Sequence, residues 1–335
     1  FLMRNINYFL LIFLIAIGSC NSQKSKINGV SYVAYNKPIS KENVVPVKLV
    51  NANFAALMPF AFVKNLNNPN VIFNSSRQWF GETPEGIKQY AKELRKEEIQ
   101  IMIKPQIWVF KGEFTGFIEM DSEENWKSLE NSYKKFILEF AKIAEEIHAE
   151  IFCIGAELEK FVINRPDFWI ELIQEIKKVY KGKLTYAANW NEYNKVHFWN
   201  ELDFIGIDAY FPLSDKKNPT VLDFRNGWKN HKQNISNFRK TYNKPVLFTE
   251  YGYRSVSFTG KEPWNSDRNL GEINLKNQEN ALRAIYQEFW NEPWFSGGFV
   301  WKWFIDHNKV GGKTNTMFTP QNKPAETVLR ELYKN

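Results

Sequence analysis

The sequence predicts a single-domain α/β protein, a (β/α)8 barrel of the TIM type, and three observations carry that reading. From Asn28 onward, short apolar runs alternate with helix-period segments, the signature of repeated strand-helix units. Eight such runs occur, and no linker divides them. Two of them end in a glutamate: Ile151-Phe152-Cys153-Ile154-Gly155-Ala156-Glu157 and Pro245-Val246-Leu247-Phe248-Thr249-Glu250. The 93 positions from Glu157 to Glu250 hold three units of about 30 residues. The glutamates therefore close strands four and seven.

Taken in order, strands are expected at residues 29–34, 55–59, 99–103, 151–154, 184–188, 204–207, 246–249 and 299–303. The segment after the first, Ser40 to Leu49, is the weak place, because Pro46 sits where a helix should continue. Trp126, Leu129, Tyr133, Phe136, Phe140, Ile143 and Ile147 recur at three- and four-residue spacing, one apolar stripe of a long helix. Pro166 begins another, with its stripe through Trp169, Ile173, Ile176 and Tyr180 and a stop at Gly182. Val221, Phe224, Trp228, Ile235 and Phe238 mark a third, and Leu275, Leu282, Ile285 and Phe289 a fourth.

Composition narrows the class. Hydrophobic residues at 44% and charged residues at 24% are near the globular norm. The net charge of +7 comes from Lys and Arg scattered among Glu and Asp, which reads as a solvated basic surface and not a nucleic-acid footprint. Two cysteines give no disulfide framework, and Cys153, inside an apolar run, reads as a buried small hydrophobe. Aromatic residues are abundant: 12 Trp, 14 Tyr and 28 Phe, more than core filling needs, so those at strand ends suit stacking on sugar rings.

At the N-terminus, Arg4 precedes an apolar run from Tyr8 to Ile17, too short for a spanning helix and followed by Gly18-Ser19-Cys20. Ile17-Gly18-Ser19-Cys20 resembles a bacterial lipobox; the alternative is an ordinary signal peptide cut nearby. On the lipobox reading, residues 1–19 are a lipoprotein signal peptide, Cys20 carries the lipid, 20–27 form a polar tether and 28–335 form the catalytic domain. The protein is then exported and lipid-anchored, at the outer membrane or cell surface.

In a barrel of this class, catalytic groups lie at the C-terminal ends of strands. Polar residues expected there are Lys104, Gln106, Glu157, Glu159, Asn189, Asn191, Asp208, Tyr210, Glu250 and Lys302. Glu157 and Glu250 fit a general acid and a nucleophile, the pair that hydrolysis of a glycosidic bond with retention requires. A structural salt bridge is the competing reading of either glutamate alone. Glu159 rivals Glu157, because the two share a face if the strand continues. The four histidines have no ligand spacing, and no serine elbow, phosphate loop or zinc motif occurs. No cofactor or metal is expected.

Four ordered motifs carry a resemblance: Gly155-Ala156-Glu157-Leu158-Glu159, Phe204-Ile205-Gly206-Ile207-Asp208-Ala209-Tyr210, Phe248-Thr249-Glu250-Tyr251-Gly252-Tyr253-Arg254-Ser255 and Gly297-Gly298-Phe299-Val300-Trp301-Lys302-Trp303. Together they resemble glycoside hydrolase family 113, of the clan of retaining (β/α)8 glycosidases. The resemblance implies endo-acting hydrolysis of β-1,4-mannan, with Glu157 as acid/base and Glu250 as nucleophile. It implies that Tyr210 hydrogen-bonds the nucleophile and that Trp301 or Trp303 floors the subsite of the cleaved sugar. Many clan members place asparagine before the acid/base, where this chain has Ala156; Asn189 or Asn191 could supply that contact.

Weaker claims attach to other strand-end groups. Lys104, Gln106 and Trp108 either line the glycone side or pack beneath a loop. Asp208 either binds hydroxyls or pairs with a neighbouring cation. Trp264, in a segment too long for an ordinary connector, either walls the cleft or anchors its loop, and Arg77 with Trp79 divides the same way. Two other readings remain open: the same enzyme class acting on glucan, xylan or another glycan, and a non-catalytic glycan-binding lipoprotein.

Overall fold

The structure, a computed structural model, describes residues 25–266 and 271–334. The expected signal peptide, the expected lipid-attachment residue Cys20 and most of the expected tether lie outside these residues. The elements run β1 (Ile27–Tyr32), α1 (Lys41–Leu49), β2 (Phe54–Leu57), β3 (Phe60–Val63), α2 (Pro84–Lys96), β4 (Gln100–Ile103), β5 (Gln106–Val109) and α3 (Glu123–Glu146). They continue with β6 (Ile151–Ala156), α4 (Glu159–Asn164), α5 (Pro166–Val179), β7 (Lys183–Asn189), β8 (Ile205–Asp208) and α6 (Val221–Tyr242). Last come β9 (Val246–Tyr251), α7 (Leu275–Phe289), β10 (Phe295–Trp303) and α8 (Pro324–Tyr333). Strands β1, β2, β4, β6, β7, β8, β9 and β10 close in that order into a parallel barrel, β10 returning to β1. These are the eight expected strands.

Local chemistry starts the helices where the sequence says it should. Pro84, Pro166 and Pro324 open α2, α5 and α8, where a missing N–H costs nothing. Ser122 caps α3 by accepting from Asn125 N at 3.2 Å, and Thr220 with Asp223 forms a capping box on α6. The weak place after β1 is a helix after all: α1 runs through Pro46. A mid-helix proline costs about 3 kcal/mol. Burial of Val44 and Val47, both fully covered, returns roughly 1.5–3 kcal/mol each, which is enough to hold the turn.

Two apolar layers follow from strand alternation. Side chains facing outward meet the helices in one large core, whereas Ile27, Phe54, Ala56, Met102, Ile151, Phe204, Leu247 and Phe299 fill the barrel interior. Phe299 lies over Gly29, where an added Cβ would sit 2.3 Å from its ring. Ile27 is already in β1 and buried, and Lys26 Nζ donates to Glu292 O at 2.7 Å. The first barrel strand thus includes Ile27, one residue before Asn28.

The sequence reading missed the small parallel sheet β3-β5, in which Phe60 pairs with Gln106. Leu57 pairs with Ile103 in the barrel below, so both sheets keep one register. Between them Pro59 supplies no N–H to the ladder, while Lys104 N still donates to Leu57 O at 2.8 Å and Gln106 N to Pro59 O at 2.9 Å. The extension raises one wall at the C-terminal mouth of the barrel.

Candidate active site

A cleft of about 740 Å³ opens at that mouth. Among the residues lining it are Glu157 from the end of β6, Asn189 and Asn191 after β7, Asp208 and Tyr210 at the end of β8, Glu250 on β9 and Trp301 on β10. Gln106 and Trp108 line it from β5, and Trp264 from the segment after β9.

Glu250 lies at the base. Lys104 Nζ donates to its Oε1, Gln106 Nε2 donates to the same oxygen at 3.1 Å, and Tyr210 OH donates to Oε2 at 2.8 Å. Lys104 also bonds both carboxylate oxygens of Asp208 at 3.0 Å, and Thr249 Oγ1 donates to Asp208 at 2.7 Å. Burial opposes the Lys104 charge, yet Asp208 and Glu250 outweigh it and hold the ammonium pKa above its ordinary value. Burial and the Glu250 carboxylate push Asp208 up to about 7 against the pull of Lys104. Two carboxyls and one ammonium share this pocket, so the carboxyls are in surplus.

Glu157 feels that surplus. Strand β6 ends at Ala156, and Glu157 takes a left-handed backbone conformation, φ 52°, costly for a residue with a Cβ. Its N–H donates to Ala187 O at 2.8 Å, its carbonyl accepts from Thr115 Oγ1 at 3.1 Å, and its side chain faces the cleft. Burial first, then the Asp208 and Glu250 carboxylates, raise its pKa well above the carboxylate range. One carboxyl is thus kept protonated while another is bonded by an ammonium, an amide and a phenol. That division of states is what acid-and-nucleophile chemistry uses.

The family model for Glycoside Hydrolase Family 113 matches residues 30–323. The chain belongs to glycoside hydrolase family 113. Among solved structures, a family 113 β-mannanase from Alicyclobacillus acidocaldarius superposes with TM-score 0.80 at 22% identity, covering 92% of this chain and 97% of the other. A family 113 β-1,4-mannanase gives TM-score 0.79 at 23% identity, covering 93% and 99%. A Faecalibacterium prausnitzii β-glucuronidase gives 0.60 at 16% identity, covering 92% of this chain but 49% of its own. No curated protein matches at a significant level. The protein is a glycoside hydrolase.

Within that family frame, several expected site residues move. Trp303 does not line the cleft: it is fully buried, its ring 5.8 Å from that of His307. The register of β10 against β1 shifts between Val300 and Trp303, so residues two apart no longer share a face. Trp301 alone of the two faces the cleft, with Lys302 Nζ 5.2 Å from its ring centroid. Lys104 does not line the cleft either; it is the fully buried cation beneath Glu250. Asp208 takes the cation-paired alternative. Glu159 is no rival, because it starts α4 and pairs with Lys195 at 2.6 Å. Trp264 walls the cleft, stacked on Trp190 at 5.3 Å and 20°. Trp79 is exposed and lies outside the cleft lining.

Sequence reasoning missed Tyr186 and Glu192. Tyr186 reads as one more core aromatic of β7, and Glu192 as one more turn residue after it. Both are fully buried, and burial pushes Glu192 up to about 8.

Proposed function

We propose that this family 113 glycoside hydrolase is an endo-β-1,4-mannanase acting with retention, with Glu250 as nucleophile and Glu157 as acid/base. The opposed environments of the two carboxyls carry the reading. Glu250 attacks the anomeric carbon as Glu157 gives its proton to the departing glycosidic oxygen; the C–O bond breaks and a glycosyl ester of Glu250 forms. That ester has lost the Glu250 charge, one of the causes lifting Glu157, so the Glu157 pKa falls at the step where it must act as base. Glu157 then takes a proton from water, whose oxygen attacks the same carbon and frees Glu250.

Trp301 offers a flat apolar floor for a sugar ring, while Asn189 and Asn191 present amides to the cleft in place of the asparagine absent at Ala156. The stacked Trp190 and Trp264 extend the aromatic surface along one wall. Two similar structures are of β-mannanases, which supports mannan as the substrate. A panel of mannan, glucan and xylan, with reducing ends counted and products sized, tests it. Short β-1,4-manno-oligosaccharides released early from mannan are expected; release from glucan or xylan alone, or from none, contradicts the proposal.

On this reading the enzyme lies outside the cytoplasm on a lipid at Cys20, which Ile17-Gly18-Ser19-Cys20 supports. Cys20→Ser should move the protein from the membrane to the soluble fraction of cells. Unchanged membrane retention rules the anchor out.

A further inference from the structure

The peptide that follows Glu157 is held at both its polar atoms by side chains from elsewhere in the barrel. Thr115 Oγ1 donates to its carbonyl, Glu157 O, at 3.1 Å. At its other end Leu158 N donates to Tyr186 OH at 2.7 Å, Tyr186 OH donates to Glu192 Oε1 at 2.6 Å, and Glu192 Oε2 accepts from Asn189 N at 2.9 Å. Tyr186 is wedged edge-on between Trp169 and Phe198, and Gly155 leaves room beside it: a Cβ there would lie 3.2 Å from the Tyr186 ring and 3.0 Å from that of Trp169. Among the described residues, no cation pairs with Glu192, although burying an unpaired carboxyl is costly. A core aromatic and an apolar turn residue would fill the same space without that cost.

We propose that Tyr186 and Glu192 are positioning residues for Glu157. Glu192 takes the Tyr186 proton as a hydrogen-bond acceptor, which turns the phenol lone pair to the Leu158 N–H. That bond holds the left-handed turn that aims the Glu157 carboxyl into the cleft. The same carboxyl fixes Asn189 N, so one buried group sets both the proton donor and the amide beside it. This inference rests on the reading of Glu157 as proton donor.

Leaving-group dependence tests it, because a phenolate that departs without protonation does not need the acid. Tyr186→Phe, Glu192→Ala and Glu192→Gln are compared with wild type on mannohexaose and on a dinitrophenyl β-mannobioside, by kcat/KM. Tyr186→Phe and Glu192→Ala should lose roughly tenfold or more on the hexaose, a part of the 10²–10⁴ that general acids supply, and several-fold less on the aryl substrate. Glu192→Gln, whose amide oxygen still accepts from Tyr186, should recover most of the hexaose activity. Equal losses on both substrates, or none on either, overturn the proposal. Glu157→Gln distinguishes the two levels. If it too lacks leaving-group dependence, the acid assignment falls; if it alone shows it, only the positioning role falls.

Discussion

At the scale of single residues, the site depends on where one backbone turn and one strand irregularity point their side chains. The left-handed Glu157 separates it from Glu159, which strand alternation alone could not do. Trp301 and Trp303 present the reverse case. Alternation puts them on one face, and the register shift on β10 puts them on two. Their substitutions should therefore part company. Trp301→Ala is expected to lower kcat/KM on oligosaccharides with little change in stability, whereas Trp303→Ala, emptying a closed site, should cost about 3–5 kcal/mol of folding free energy. Urea titration beside steady-state kinetics reads both, and a matching loss of stability in the two variants would refute the assignment.

Lys104 shows why part of the site was not legible. Its place after the third barrel strand was clear, but its partners lie 104 and 146 positions away, across the barrel floor. Nothing in a linear pattern reports a contact across a closed sheet. Glu250 and Tyr210, by contrast, sit in motifs whose spacing alone brings them to adjacent strand ends, and their bond is found at 2.8 Å.

At the scale of elements, strands and long helices were readable because each carries its own period and caps. The α3 stripe and the Pro166 start of α5 appear as expected. What escaped were features decided by burial against other elements: α1 through Pro46, the β3-β5 extension, and the link from β7 to the end of β6 through Tyr186. That link has a pH signature. Glu192 is raised from 4.5 to about 8 on folding, so the folded state binds its proton more tightly than the unfolded chain. A raised carboxyl pKa gives stability that is full below the unfolded value and lost as pH climbs toward the folded one. Glu192→Gln does not titrate. Its melting temperature should therefore gain on wild type steadily between pH 5 and pH 8, by a few degrees, whatever the offset at pH 5. Parallel melting profiles would mean that Glu192 is not held protonated.

At the scale of the whole molecule, the barrel converts sequence distance into proximity. Parallel closure carries every strand's C-terminal end to one mouth, and there burial and the Asp208 and Glu250 carboxylates raise the pKa of Glu157. The fold was legible because eight units repeat a pattern that only a closed sheet covered by helices buries on both faces. The electrostatics were not, since they arise only once Lys104, Asp208 and Glu250 meet.

Glu250 acting as nucleophile means that a covalent glycosyl-enzyme forms. A 2-deoxy-2-fluoro-mannosyl fluoride, with further mannose units added to fill the cleft, slows release of that intermediate more than its formation. Mass spectrometry of the digested protein should then find one fluorosugar on the peptide carrying Glu250, and none in Glu250→Ala. A label on Glu157 or Asp208, or products released with inverted configuration and no label at all, would rule Glu250 out as the nucleophile.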